Sequence, residues 1–221
     1  MSKNRLEAFS DGVFAVAITI LALDLRVPSS DEVTAHHGLW RAILSHWPTY
    51  AAYATSFVVI GIIWISHNGV FRNIKSIDRA LLFFNLFLLM FVVAIPFATA
   101  LVADYLNKGH AGNVAVALYS AVMLAHAATW TGLWWWVSGH PELLAEHVDP
   151  VLARKARWRF GMGTPVYAGA VVVSFVSAPL TLLGHFIVAI VYSFEQLRVD
   201  RPGVAGSAEV AAEEGELLDS E

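Results

Sequence analysis

Long uncharged runs separated by short polar segments dominate the chain. They extend from Ala42 to Phe71, Ala80 to Ala103, Gly109 to Pro141 and Phe160 to Phe194, with a shorter one from Gly12 to Leu23. A helix that crosses a bilayer core needs about 20 apolar residues. The first span is expected from about Leu6 to Leu25, stopped by Pro28, which removes a backbone donor, and by the turn-forming Ser29 and Ser30. The second runs from about Trp47 to Val70. After the polar loop that holds Arg72, Lys75, Asp78 and Arg79, a third continues to about Ala103, with Pro96 as a candidate kink. A fourth runs from about Asn113 to Val137. As one helix, the run from Phe160 would be about 52 Å long, against a bilayer core of about 30 Å. Ser177, Ala178 and Pro179 supply a break, because proline disfavours helix at the residue before it. The pattern predicts an all-α integral membrane protein with six transmembrane helices over residues 1–200, or five if the last run is unbroken.

Composition narrows the function classes. Only 14% of residues are charged, against about 25% in an ordinary soluble domain. A net charge of −4 without a basic stripe argues against nucleic acid as a partner. The absence of cysteine excludes disulfides, thiolate catalysis and Cys-based metal sites. No H-x-x-x-H or E-x-x-H spacing and no activated nucleophile occurs, so neither an enzyme, a cofactor nor a dedicated metal site is expected. The first apolar segment lacks a small-residue cleavage site and reads as a retained helix rather than a signal peptide.

Charge position sets orientation. With the N-terminus inside, the inner segments hold Lys3, Arg5, Arg72, Lys75, Arg79, Arg154, Lys155, Arg157, Arg159, Arg198 and Arg201, and the outer ones only Arg26, Arg41 and Lys108. Cytoplasmic loops carry the Lys/Arg excess, so both termini of this multi-pass cell-membrane protein are expected in the cytoplasm. Trp47, Trp134, Trp135, Trp136 and Trp158 lie near span ends and read as headgroup-level anchors. Residues 201–221, rich in Gly, Ala, Ser and Glu, read as a disordered acidic tail.

Polar groups inside the spans are costly unless paired. Asp11, His67 and Asn85 each lie about 7–9 Å inward of a cationic end residue, namely Arg5, Arg72 and Arg79. Ser10, Asp11, Trp64, His67, Asn68 and Asn85 can therefore form one hydrogen-bonded cluster across three consecutive helices. It reads either as a structural knot or as a proton relay or cation-ligand pair built on Asp11 and His67, the latter implying a proton-coupled transporter. His126 and His185 read as satisfied core histidines. Val16, Ile20 and Leu23 fall at i, i+4 and i+7 and form one apolar stripe, which by itself fits lipid contact or core packing.

The first span reads Arg5, then Phe9-Ser10-Asp11 after three intervening residues, then the uncharged run that ends at Leu23 before Asp24. This closely resembles the signature helix of the transmembrane protein 175 family of potassium channels. Trp64-Ile-Ser-His67 in the second span, with Asn85 and Pro96-Phe97 in the third, is also similar to that family. The resemblance implies a homotetrameric, potassium-permeable channel with one six-helix repeat per subunit and four copies of the first helix around the pore. It implies an aliphatic constriction at Val16, Ile20 and Leu23, in place of a carbonyl filter. Phe9, Ser10 and Asp11 would pack the pore helix against the second and third. Thr19 has two readings: a hydroxyl ring touching the ion, or a hydroxyl bonded back to its own helix. The partners implied are further copies of the chain, potassium ions and the bilayer.

A ring of aliphatic side chains cannot replace an ion's hydration shell, so it opposes conduction when narrow and passes partly hydrated ions when wider. Potassium holds its water less tightly than sodium, so moderate potassium preference is expected. Val16 stands where the family usually has Ile or Leu, which shifts the expected tightest layer to Ile20 or Leu23.

Overall fold

The computed structural model describes residues 2–199, with their side chains through Val191. The acidic segment 201–221 lies outside the described residues. Ten α-helices are described: α1 (Lys3–Leu21), α2 (Ser30–Ala35), α3 (Leu39–Ser45), α4 (Trp47–Arg72), α5 (Arg79–Tyr105), α6 (His110–Gly139), α7 (Pro150–Lys155), α8 (Arg157–Gly161), α9 (Gly163–Ser174) and α10 (Ala178–Val199). Four are long and apolar enough to cross a membrane: α1 with its terminal turn, α4, α5 and α6. The long run after Phe160 is broken just before Ala178, as its proline predicts, but the part before the break is short. α9 has 12 residues, about 18 Å, with α8 one residue upstream across Met162.

α1 ends earlier than its apolar pattern suggests. The α-helix stops at Leu21 and tightens into a 3-10 turn over Ala22–Asp24, closed by Leu25 N–H donating to Ala22 O at 3.2 Å. Such a turn satisfies carbonyls that have no i+4 donor left. Leu23 therefore sits on the turn, not on the α-helix that carries Val16 and Ile20. Pro96 lies inside an uninterrupted α5. Between α1 and α4, Ser29 caps α2 in a reciprocal capping box with Glu32, a Ser-x-x-Glu signal that was readable in the chain.

α5 and α6 pair most extensively; α1 packs on α4 and α5, α9 on α6, and α10 on α4 and α9. The buried apolar residues form two clusters. One holds Phe14, Ala17 and Leu21 of α1 with Val59, Ile60, Val92, Ile95, Tyr119 and Met123. The other holds Leu6 with Val70, Phe71, Leu81, Leu133, Trp134 and Val137. Along α1, α4 and α5 the buried polar residues Ser10, His67 and Asn85 fall between the two.

Loops at the Arg72 end are stitched together. Lys75 N–H donates to Leu143 O at 2.7 Å and Ala145 N–H to Asn73 O at 2.9 Å, around the bridge between Ile74 and Leu144. Asp78 caps α5 through Leu81 N–H at 2.8 Å and accepts from Trp136 Nε1 at 2.9 Å. Arg157 donates to Ser138 Oγ (2.8 Å) and Trp135 O (3.2 Å) and lies over the Trp135 ring, so it caps the last turn of α6. The tryptophans divide accordingly. Trp134 is buried and donates to Ala153 O at 3.1 Å, so it is a core residue and not a headgroup anchor. Trp47, Trp135 and Trp158 remain exposed.

Candidate functional site

α1 has two unlike faces. Leu6, Ser10, Phe14, Ala17 and Leu21 recur at three- and four-residue intervals and are buried against α4 and α5. On the other face Val16 is 56% exposed, Ile20 40% and, on the 3-10 turn, Leu23 80%. The same chain's helices leave this apolar stripe uncovered. Thr19 shares the open face, and its hydroxyl lies 3.0 Å from Ala15 O and 2.9 Å from Val16 O. The hydroxyl proton is thus turned back onto the helix, while the oxygen stays on the exposed surface.

The polar residues expected to form one cluster separate into two groups. Ser10 Oγ donates to Leu6 O at 2.9 Å, so it can only accept the second bond, from Asn85 Nδ2 at 3.1 Å. That directs Asn85 Oδ1 to His67 Nε2 at 2.8 Å and requires the proton on Nε2. The His67 ring stacks on Phe71 (centroids 4.2 Å apart) and meets Phe14 edge-on at 5.5 Å. The chain Leu6–Ser10–Asn85–His67 thus joins α1, α5 and α4 in a buried line. Apart from it, Trp64 Nε1 donates to Asp11 Oδ1 at 2.8 Å on the exposed side.

Helix geometry explains the split. Ser10 and Asp11 are successive residues about 100° apart around α1, so they cannot face the same neighbour. The same rotation turns Asn68 away from α5, and it joins neither group. Arg5 is exposed and also outside both. Phe9, half exposed, does not pack into either core cluster of its own subunit. Asp11 and His67, each bound to a different partner, do not form the pair that a relay through them would need.

Other buried polar residues join further helices, and of these only His126 and His185 were singled out by the sequence, both as satisfied core histidines. Ser56 Oγ lies 2.6 Å from Thr99 Oγ1 and 3.2 Å from Tyr119 Oη, linking α4, α5 and α6. His185 bonds Ser120 Oγ at 2.8 Å and is a satisfied core histidine. His126 differs, because its buried Nε2 has no hydrogen-bond partner. No group of three or more metal-ligating side chains occurs among the described residues.

A sequence profile described as endosomal/lysosomal potassium channel TMEM175 matches residues 5–96, which span α1, α4 and most of α5. A potassium channel of Streptomyces collinus is 48% identical over 196 residues, covering 89% of this chain and 94% of that protein. The chain belongs to the TMEM175 family. A second family relative, a potassium channel of Chamaesiphon minutus, is 39% identical over 192 residues, 86% of this chain and 93% of its own length. The crystal structure of a lysosomal potassium-selective channel TMEM175 homologue from Chamaesiphon minutus shares the fold, with a TM-score of 0.79 at 34% identity, over 88% of this chain and 97% of that one. The similar proteins are channels and not enzymes.

Proposed function

We propose that this chain is a potassium-permeable cation channel of the cell membrane, assembled as a homotetramer around a pore lined by four copies of α1. One observation carries the reading: a helix packed on one face within its own subunit leaves an apolar stripe uncovered on the other, in a family whose Streptomyces collinus and Chamaesiphon minutus members are named potassium channels. Val16, Ile20 and Leu23 form the constriction. Rings of aliphatic groups at these positions impede ions by dewetting when close and admit partly hydrated ions when apart, which gives moderate preference for potassium over sodium. Thr19 adds a ring of hydroxyl oxygens. Since its proton is held by carbonyls of α1, the oxygen lone pairs are what such a ring offers a cation.

The subunit is a channel domain over residues 1–200 with six spans, the last two built on α9 and α10. Both termini are cytoplasmic, because that orientation puts the Lys/Arg excess inside. The signature residues position α1: Ser10 with Asn85 and His67 holds its inner half, and Asp11 with Trp64 fixes its rotation. Arg5 stands at the cytoplasmic end of the pore helix. Phe9, half exposed within the subunit, packs between subunits.

The decisive experiment is planar-bilayer recording of the purified protein with potassium and sodium on opposite sides. A reversal potential displaced toward the potassium equilibrium value is expected. Ile20→Asn or Leu23→Asn should raise flux and reduce discrimination, and unchanged flux from every substitution along the stripe would exclude α1 as the pore lining.

A further inference from the structure

A cavity of about 390 Å³ lies between α4, α6, α8, α9 and α10, away from the open face of α1. Its size is within the about 300–1,000 Å³ of small-molecule sites, but its shape is unusual for one. On α4 it follows Val59, Ile62, Ile63, Ser66, Val70 and Asn73, a single helix face about 21 Å long at 1.5 Å per residue. A cavity elongated along one helix face is a slot whose length suits an extended hydrocarbon chain. Met123, Ala127, Trp130, Phe160 and Tyr167 make the opposite walls mostly apolar.

The ends of the slot differ. At the Arg72 end, Arg72 and Arg159 both line it, with Asn73 and His147 beside them, His147 Nε2 lying 3.2 Å from Asn73 Oδ1. Glu146, next to His147 in the chain, is held by Lys75 at 2.8 Å. Along the wall, His126 is over nine-tenths buried, and its Nε2 meets no polar atom of the described protein. Leaving such a group unpaired is costly, and with the proton on Nε2 an ester carbonyl is an acceptor that completes it.

From an apolar slot, one unmet polar atom in its wall and guanidinium groups at one end, we infer that this cavity holds one acyl chain of an anionic phospholipid, with the phosphate at Arg72 and Arg159. Basic pockets between transmembrane helices are known headgroup sites. In the orientation proposed above the headgroup lies in the cytoplasmic leaflet. The site is separate from the pore, so it tests independently of the channel reading: lipid retention is measured without any current.

Native mass spectrometry of the purified full chain, after exchange into micelles with equal phosphatidylglycerol and phosphatidylcholine of matched chains, reads the occupant. Phosphatidylglycerol should be retained at least fivefold over phosphatidylcholine. Arg159→Gln should reduce that ratio below twofold, and Ala127→Trp, which fills the slot, should abolish retention of both lipids. Equal retention of the two lipids by the unaltered chain, or full retention by Ala127→Trp, overturns the proposal, since either result describes ordinary surrounding lipid. A readout that does not depend on the filled variant is quenching by phosphatidylglycerol brominated along its chains. The quenched fluorescence should fall in Trp130→Phe, and an unchanged quenched fraction also overturns the proposal. Millimolar inorganic phosphate should not displace the lipid. If phosphate does displace it, or if oleate at equal concentration replaces it, the occupant is a free anion or a fatty acid and the phospholipid assignment fails.

Discussion

The two faces of α1 are made from similar residues and have opposite fates. Phe14, Ala17 and Leu21 are as aliphatic or aromatic as Val16, Ile20 and Leu23, yet the first set is buried and the second is open. Hydrophobicity alone therefore does not separate a packing face from an open face. The buried face carries the one polar residue, Ser10, whose bonds close completely inside the subunit. The open face carries Thr19, whose proton is internally held but whose oxygen remains outward. Packing within the subunit uses one face of the helix and leaves the other uncovered.

The contrast breaks most sharply at Phe14. Phe14→Ala should cost about 3–5 kcal/mol, the range for emptying a large buried ring site, and should show as a large loss of thermal stability in detergent. Asn85→Ala comes next. It strands both His67 Nε2–H and a lone pair of Ser10, and losing buried partners costs about 1–3 kcal/mol per group; denaturation followed by tryptophan fluorescence should register a loss of that order. On the open face, Ile20→Ala should change stability by less than about 0.5 kcal/mol, as surface substitutions do, while altering liposome potassium flux. A stability loss at Ile20 as large as that at Phe14 would erase the distinction between the faces.

Smaller effects sharpen the picture at the edges. Trp64→Phe should cost roughly 0.5–1.5 kcal/mol, the net worth of one hydrogen bond. Melting curves of that variant beside Asn85→Ala would rank the two polar groups. The smallest effect is at the stitched loops. The hydrogen bond and charge of Lys75 hold the Glu146 carboxyl below its ordinary pKa. Its stabilising contribution is therefore present above the ordinary carboxylate value and fades as pH falls through the lowered one. Hydrogen exchange at Ala145 should quicken slightly in Lys75→Met, measured well above the carboxylate range, and the difference between the two proteins should vanish in acid.

Much of this was legible along the chain. Helix bounds for α4, α5 and α6 followed from charge-free length, and the interruption before Pro179 from a backbone rule. The buried line through Ser10, Asn85 and His67 was legible as residues at one depth. Its separation from Asp11 and Trp64 was not, because depth along a helix is set by residue number while facing depends on how neighbouring helices rotate. Asn68 and Arg5 stood at suitable depths and face elsewhere. Trp134 was misread for a related reason: position near a span end suggests a headgroup anchor, but α7 folds back and supplies the carbonyl of Ala153.

What the sequence determined by itself is the part governed by local chemistry: which segments avoid water, where charges interrupt them, which prolines stop helices, and the string from Arg5 to Asp24 that ties the chain to its family. What only the tertiary structure decided is which side of each apolar helix is covered. A hydrophobic residue is equally content against protein or lipid, so nothing local distinguishes Phe14 from Ile20, or Trp134 from Trp135. That choice is made by contacts between segments far apart in the chain, and the same long-range packing leaves both the slot beside α4 and the uncovered stripe of α1.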